Sequence, residues 1–234
     1  MLIFGIDTCC GAATAALMDE TKLIAQTVIN HDRTHSQKMM PQIETMFAQA
    51  ERDVRDVGCF AAAVGPGSFT GVRIGVATVK ALAQAVDKPC CAVSTLQALA
   101  YNNALFSGIV CPILDARRNQ VYNALFQGGR TLTRLCDDRA LGVDALLDEL
   151  KAMDGDVLFC GDGTLVFRQV IEEALGSRAV FAPVMQNLNL AAAVAELALT
   201  GQGETMPCGD LVPRYVRLSQ AERERLEREQ EGKR

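Results

Sequence analysis

Residues 65–75 read Gly-Pro-Gly-Ser-Phe-Thr-Gly-Val-Arg-Ile-Gly, with four glycines, a proline and two hydroxyl residues in eleven positions. The apolar run Phe60 to Val64 leads into them, and the helix-compatible run Val76 to Val86 leads out. A strand–glycine loop–helix junction lets the backbone turn with positive φ and bring its N–H groups close to a guest. The partial positive charge of the helix N-terminus points the same way and selects an anion, a phosphate above all. Gly65, Gly67, Ser68 and Thr70 are the positions that would face it. No Gly-Lys-Ser/Thr closes the loop and the glycines lack GxGxxG spacing, so it is neither a P-loop nor a dinucleotide fingerprint. The same residues also suit a tight strand-to-helix turn that holds no ligand. Asp7 (with Thr8) and Asp115 complete the candidate chemistry, since each ends an apolar run and opens a polar turn.

The elements that must position these groups follow from the pattern. Leu2 to Ile6 reads as a strand, Asp7 to Gly11 as a turn, Ala12 to Met18 as a return strand and Leu23 to Ile29 as a third. From Ser36 to Ala50 the spacing is helical, with Met39, Met40, Ile43, Met46 and Phe47 on one stripe and Thr34 or Ser36 as cap. Strand 60–64, the glycine loop, a helix to about Val86 and a strand from Cys90 to Val93 come next. The pattern then restarts. Ile6 to Leu17 aligns with Leu114 to Leu125, each an apolar strand, an Asp, a short turn and a strand ending Ala-Leu at equal spacing. A helix near Val143 to Met153, a strand Val157 to Cys160, a helix Leu165 to Leu175 and an alanine-rich helix Leu190 to Leu199 follow. Leu211 to Arg217 is strand-like. An internal repeat whose halves open on a strand–Asp–turn–strand hairpin resembles the actin-like ATPase fold, in which two βββαβα halves clamp a nucleotide.

Composition narrows the function classes. The chain has 234 residues, 49% hydrophobic and 22% charged, which suits a globular protein with a sizeable core. No apolar stretch approaches the roughly 18 residues of a spanning helix, so no membrane partner is expected. The start, Met-Leu-Ile-Phe-Gly-Ile-Asp, lacks the basic flank of a signal peptide and predicts a cytoplasmic protein. A formal charge of −5 provides no basic field for gripping nucleic acid unaided. Arg117-Arg118 and the tail arginines are the basic clusters, each diluted by nearby acids. Nine cysteines sit mostly in apolar runs or as the adjacent pairs Cys9-Cys10 and Cys90-Cys91, which reads as reduced, buried thiols and not as zinc ligands. Ala221 to Arg234 is nearly all charged, with alternating signs, and reads as a solvated helix or tail.

The order Asp7-Thr8, Gly65 to Gly75, Val93-Ser94-Thr95-Leu96, Asp115-Ala116-Arg117 and Pro213-Arg214-Tyr215-Val216-Arg217 closely resembles the bacterial TsaB family of tRNA threonylcarbamoyladenosine biosynthesis proteins, from residue 1 to about 218. That resemblance implies an α/β, actin-like ATPase (ASKHA, ribonuclease H-like) fold of two related βββαβα subdomains with mixed sheets flanked by helices. They would span residues 1–105 and 106–218, with a charged tail at 219–234. It implies a non-catalytic subunit that pairs with a catalytic paralogue, TsaD, together with the ATPase TsaE, in forming N6-threonylcarbamoyladenosine at position 37 of tRNAs reading codons that begin with adenine. Asp7, Thr8, Gly65, Gly67, Ser68, Thr70 and Asp115 would be vestigial phosphate-facing positions. No cofactor is required by this chain, ATP or ADP belongs to the complex, and tRNA is met through the complex alone.

The paralogue's two metal-binding histidines correspond to Thr95 and Leu99 here, and neither a leucine nor a threonine replaces imidazole. No metal site and no intrinsic catalysis are therefore expected. His31 and His35 lie before the methionine-rich helix in a polar stretch without an HExxH glutamate, which suits exposure or a subunit edge better than a metal. In the family, the helix carrying Met39, Met40, Ile43, Met46 and Phe47 and the helix carrying Val72, Val76, Val79, Leu82 and Ala83 form a bundle with the partner. The same stripes would serve a homodimer, and they would equally pack on this chain's own sheet. The competing class is an autonomous actin-like nucleotide-binding enzyme, an ATPase or small-molecule kinase. The glycine loop and the two hairpin aspartates favour it, while the missing metal pair and the short chain weigh against it.

Overall fold

The structure, a computed structural model, describes residues 1–30 and 35–217, with side chains from Met39 onward in the second span. His31, Thr34, the side chains of His35 and Ser36, and the tail 219–234 lie outside the described residues. The chain begins with β1 (Leu2–Asp7), β2 (Ala12–Met18), β3 (Leu23–Asn30) and α1 (His35–Gln49). It continues through β4 (Val57–Ala63), α2 (Phe69–Ala85), β5 (Cys90–Val93) and α3 (Thr95–Tyr101). The second half comprises β6 (Ile109–Asp115), β7 (Gln120–Asn123), the two-residue strands β8 (Phe126–Gln127) and β9 (Thr133–Arg134), and β10 (Arg139–Gly142). It closes with α4 (Val143–Lys151), β11 (Val157–Cys160), α5 (Gly163–Leu175), β12 (Ala179–Phe181), α6 (Ala191–Leu199) and β13 (Glu204–Met206).

The repeat is real at the level of topology. The first sheet runs β13-β5-β4-β1-β2-β3 and the second β10-β7-β6-β11-β12, so both share a five-strand order in which a three-strand meander is extended by two parallel strands. β8 and β9 form an excursion off β6. The hairpins are not equally spaced, however. Asp7 pairs with Thr14, whereas Asp115 pairs with Val121, so the second turn is one residue shorter. β2 is buried at every position because α1 and α2 cover one face of the first sheet while α6 covers the other.

A boundary at 105/106 does not divide the cores. α3, N-terminal to it, sends Leu96, Leu99 and Ala100 into a cluster with Val110, Leu114 and Leu158 of the second sheet. α6, from the second half, packs Ala193, Val194, Ala195 and Leu197 into the first core, and β13 pairs with β5. Each half closes the other's core with its last helix. Both helices are short and almost wholly apolar, so they bury themselves most completely between two sheets.

Candidate functional site

A cleft of about 620 Å3 opens between the two hairpins, with the glycine loop as its floor. Asp7 and Asp115 occupy matching positions at the ends of β1 and β6, Asp115 on the cleft wall and Asp7 behind it. Asp7 Oδ1 accepts the Cys9 N–H at 2.8 Å and Asp115 Oδ1 accepts the Arg117 N–H at 2.8 Å, so both carboxylates close the same two-residue turn. Beyond that they differ. Asp7 is fully buried and also accepts Asn189 Nδ2 at 3.1 Å, behind the Cys9-Cys10 wall. Asp115 faces the cleft, pairs with Arg117 at 3.3 Å and donates its N–H to Asp162 Oδ1 at 3.0 Å. Burial pushes the Asp162 carboxyl above the usual range; the Asp115 carboxylate adds to the push, against the opposing hydrogen bond from the Asp115 N–H.

The glycine loop is turned against its own chain. The Ser68 N–H at the head of α2 donates to the Cys9 carbonyl at 2.6 Å, Thr8 Oγ1 donates to the Gly71 carbonyl at 2.6 Å, and Ser68 Oγ caps the helix by accepting the Gly71 N–H. A Cβ at Gly67 would overlap the Cys9 carbonyl oxygen and one at Gly71 the Thr8 carbonyl oxygen, both well under 3.0 Å. Gly65, at φ +114°, lies 2.5 Å (as a notional Cβ) from the Arg214 carbonyl oxygen and gives its N–H to Thr95 Oγ1 at 3.2 Å. These glycines are required for backbone-to-backbone packing. Of the proposed phosphate-facing residues, Gly67, Ser68 and Asp115 line the cleft; Asp7, Thr8 and Gly65 are buried behind it, and Thr70 is exposed on α2 away from it.

Sequence reasoning missed the cleft's cover. Residues 211–217 form no strand but lie across the glycine loop, with Leu211 buried and the Arg214 N–H donating to the Val64 carbonyl at 2.7 Å. Tyr215 stacks on Phe69 with centroids 4.8 Å apart, Arg73 sits 3.8 Å over the Phe69 ring, and Arg73 Nε donates to Tyr215 Oη at 2.8 Å. Arg217 Nη1 reaches the Ala116 carbonyl at 2.8 Å. The aromatic and two arginines after buried Leu211 were the available signal. Next to Ala116, Arg117, Arg118 and Asn119 are three successive non-glycine residues at φ 63°, 55° and 57°. A left-handed residue costs roughly 1–2 kcal/mol, so this turn persists because its neighbours hold it.

The helix stripes proposed as an interface face inward, which is a correction. Met39, Ile43, Met46 and Phe47 of α1 and Val72, Val76, Val79 and Ala83 of α2 are buried in the first core, and Leu82 is partly buried against it. Met40, at 41% exposure, is the one large apolar member that looks outward. Burying a side chain of this size contributes about 1.5–3 kcal/mol, and the sheet takes that contribution first. The outward face of α2 is instead Thr70, Arg73, Ala77, Ala81 and Gln84, and that of α1 includes Met40, Glu44 and Ala48. Thr95 and Leu99, at the positions corresponding to the metal histidines, are fully buried, the threonine hydroxyl engaged with the Gly65 N–H. Burial pushes the thiols of Cys9 and Cys10 well up, with nearby carboxylates adding to it, so neither is a nucleophile poised over the cleft.

Two sheets of one strand order with a cleft between their first hairpins define the actin-like ATPase class. A ROK hexokinase from Thermus thermophilus shares that fold, at TM-score 0.51 and 14% identity over 85% of this chain and 100% of its own. A Pseudomonas aeruginosa protein described as similar to peptidase YEAZ superposes with TM-score 0.77 and 27% identity over 92% of this chain and 99% of its own. Residues 22–224 match the family model for TsaD, tRNA N6-adenosine threonylcarbamoyltransferase. The tRNA threonylcarbamoyladenosine biosynthesis protein TsaB of Bacillus subtilis is 36% identical over 97% of this chain and 99% of its own. The chain belongs to the TsaB family. Among its described residues no helix is long and apolar enough to cross a membrane.

Proposed function

We propose that this chain acts in tRNA threonylcarbamoyladenosine biosynthesis as a non-catalytic subunit. It pairs with and activates the catalytic TsaD-type transferase, works with the ATPase TsaE and meets tRNA through that complex. ATP or ADP belongs to the assembly. The same docking face would support a homodimer when the transferase is missing. One observation carries the reading: the place of the metal ligands is filled by core, while α1 and α2 present a shallow outward face centred on Ala77 and Ala81. Small residues let a second helix layer approach closely, and Met40 and Arg73 flank them with side chains of the kind that interfaces favour.

The test is a reconstituted threonylcarbamoyl transfer with and without the chain, and with Ala77→Glu/Ala81→Glu. Both sites are exposed, so stability should stay within about 1 kcal/mol of wild type. Pairing and modification should both be lost. Full modification without the chain, or with the double variant, rejects the proposal; turnover of nucleotide by the isolated chain would favour an autonomous enzyme.

A further inference from the structure

We propose that residues 211–217 link the outward face of α2 mechanically to the second hairpin, so that partner docking and the state of the cleft are coupled. This rests on the docking reading above. At one end, Arg73 belongs to the exposed α2 face and is bound to Tyr215, itself 45% exposed, through the Nε–Oη hydrogen bond. A partner helix laid along Ala77 and Arg73 therefore meets Tyr215 as well. In the middle the segment is fixed by the Arg214 N–H to Val64 and by the close passage of its carbonyl over Gly65. At the other end Arg217 holds the Ala116 carbonyl, immediately before the left-handed run Arg117–Asn119.

That run is the two-state element. Its backbone lies in a costly region and is retained by a few hydrogen bonds: Arg217 to Ala116, the Arg117 N–H to Asp115, the Ala116 N–H to the Gln120 carbonyl at 3.0 Å, the Gln120 N–H to the Arg117 carbonyl at 3.1 Å, and the Val143 N–H to the Asn119 carbonyl at 3.1 Å. Removing the first gives the turn access to less strained arrangements and loosens Asp115 and Arg117 at the cleft wall. A partner that immobilises Tyr215 keeps Arg217 seated and the turn closed. Coupling of this kind is reciprocal, so whatever opens the turn weakens docking by the same factor.

The test is hydrogen exchange over residues 114–121 in the full chain, alone and with the purified TsaD-type transferase of the same organism. Partner addition should slow exchange there in wild type. Arg217→Ala should exchange about fivefold faster, the factor for one net hydrogen bond, and should not respond to partner. Tyr215→Ala, which removes the stack on Phe69 and the hydrogen bond from Arg73, should raise exchange at 114–121 in the isolated chain. Unchanged exchange in Tyr215→Ala, or bound partner with an unaltered hairpin, overturns the link. Failure of wild type to bind the transferase rejects the docking reading, and the Tyr215→Ala arm still decides the link.

Discussion

Gly71→Ala separates two explanations of the glycine loop that predict opposite signs. Gly71 is the third residue of α2, where exchanging glycine for alanine normally stabilises by about 0.8–1 kcal/mol. If the loop's glycines served a ligand, that gain would appear and stability would rise. In the structure the new Cβ overlaps the Thr8 carbonyl oxygen, a backbone atom of a buried residue that has no rotamer to yield with. Hairpin and helix must then part. Overpacking of this kind costs about 1–3 kcal/mol. Separation also stretches two short hydrogen bonds, Thr8 Oγ1 to Gly71 and the Ser68 N–H to Cys9, worth about 1 kcal/mol each. Against the propensity gain the balance is a loss of about 3 kcal/mol. With a urea slope of about 2–3 kcal/mol/M for a chain of this size, the midpoint falls by about 1 M. Gly209→Ala is the control: nothing lies within 4 Å of a Cβ there, and its midpoint should not move. A Gly71→Ala variant as stable as wild type, or more so, refutes the packing account.

Two further outcomes follow from burial. Ile43→Ala and Met46→Ala should each lose about 2–5 kcal/mol in urea unfolding, because both side chains are at 2% exposure in the first core; a loss of docking with unchanged stability would restore them to an interface. Burial also raises the thiols of Cys59 and Cys90 from 9.0 to about 12 and about 11. The folded chain then keeps protons that the unfolded chain releases above pH 9, so this contribution is complete below pH 9. It declines by up to about 1.4 kcal/mol per pH unit per thiol as pH rises from 9 to about 11 for Cys90 and to about 12 for Cys59. Urea midpoints at pH 8 and pH 10.5 should differ more in wild type than in Cys59→Ala/Cys90→Ala; parallel losses would exclude this linkage.

The elements that were legible in the sequence were those whose burial leaves a periodic trace. β2, β5 and β11 appear where continuous apolar runs place them, and α1 where its stripe does. The paired Asp turns were legible because a short side chain hydrogen-bonding two residues onward is a local device. The exchange of α3 and α6 was not, since Thr95–Tyr101 and Ala191–Leu199 carry too little polar surface to show which sheet they cover. β8, β9 and β13, two or three residues each, are strands by pairing alone.

The α1 and α2 stripes were misassigned for a reason that applies to any helix lying on a sheet. Such a helix buries its large apolar residues against its own sheet, while the other face must remain soluble and is left with small or mixed ones. In α2 this assigns Val72, Val76 and Val79 to the core and Ala77 and Ala81 to the surface. A hydrophobic stripe therefore identifies the covered side of the helix, and the proposed function assigns docking to the opposite side. Charge placed at Met46 or Val76 tests folding, while charge at Ala77 or Ala81 tests association. The glycine loop carries the same inversion, because its unusual composition records how closely Thr8 and Cys9 approach α2, and a sequence does not distinguish a neighbour from a guest.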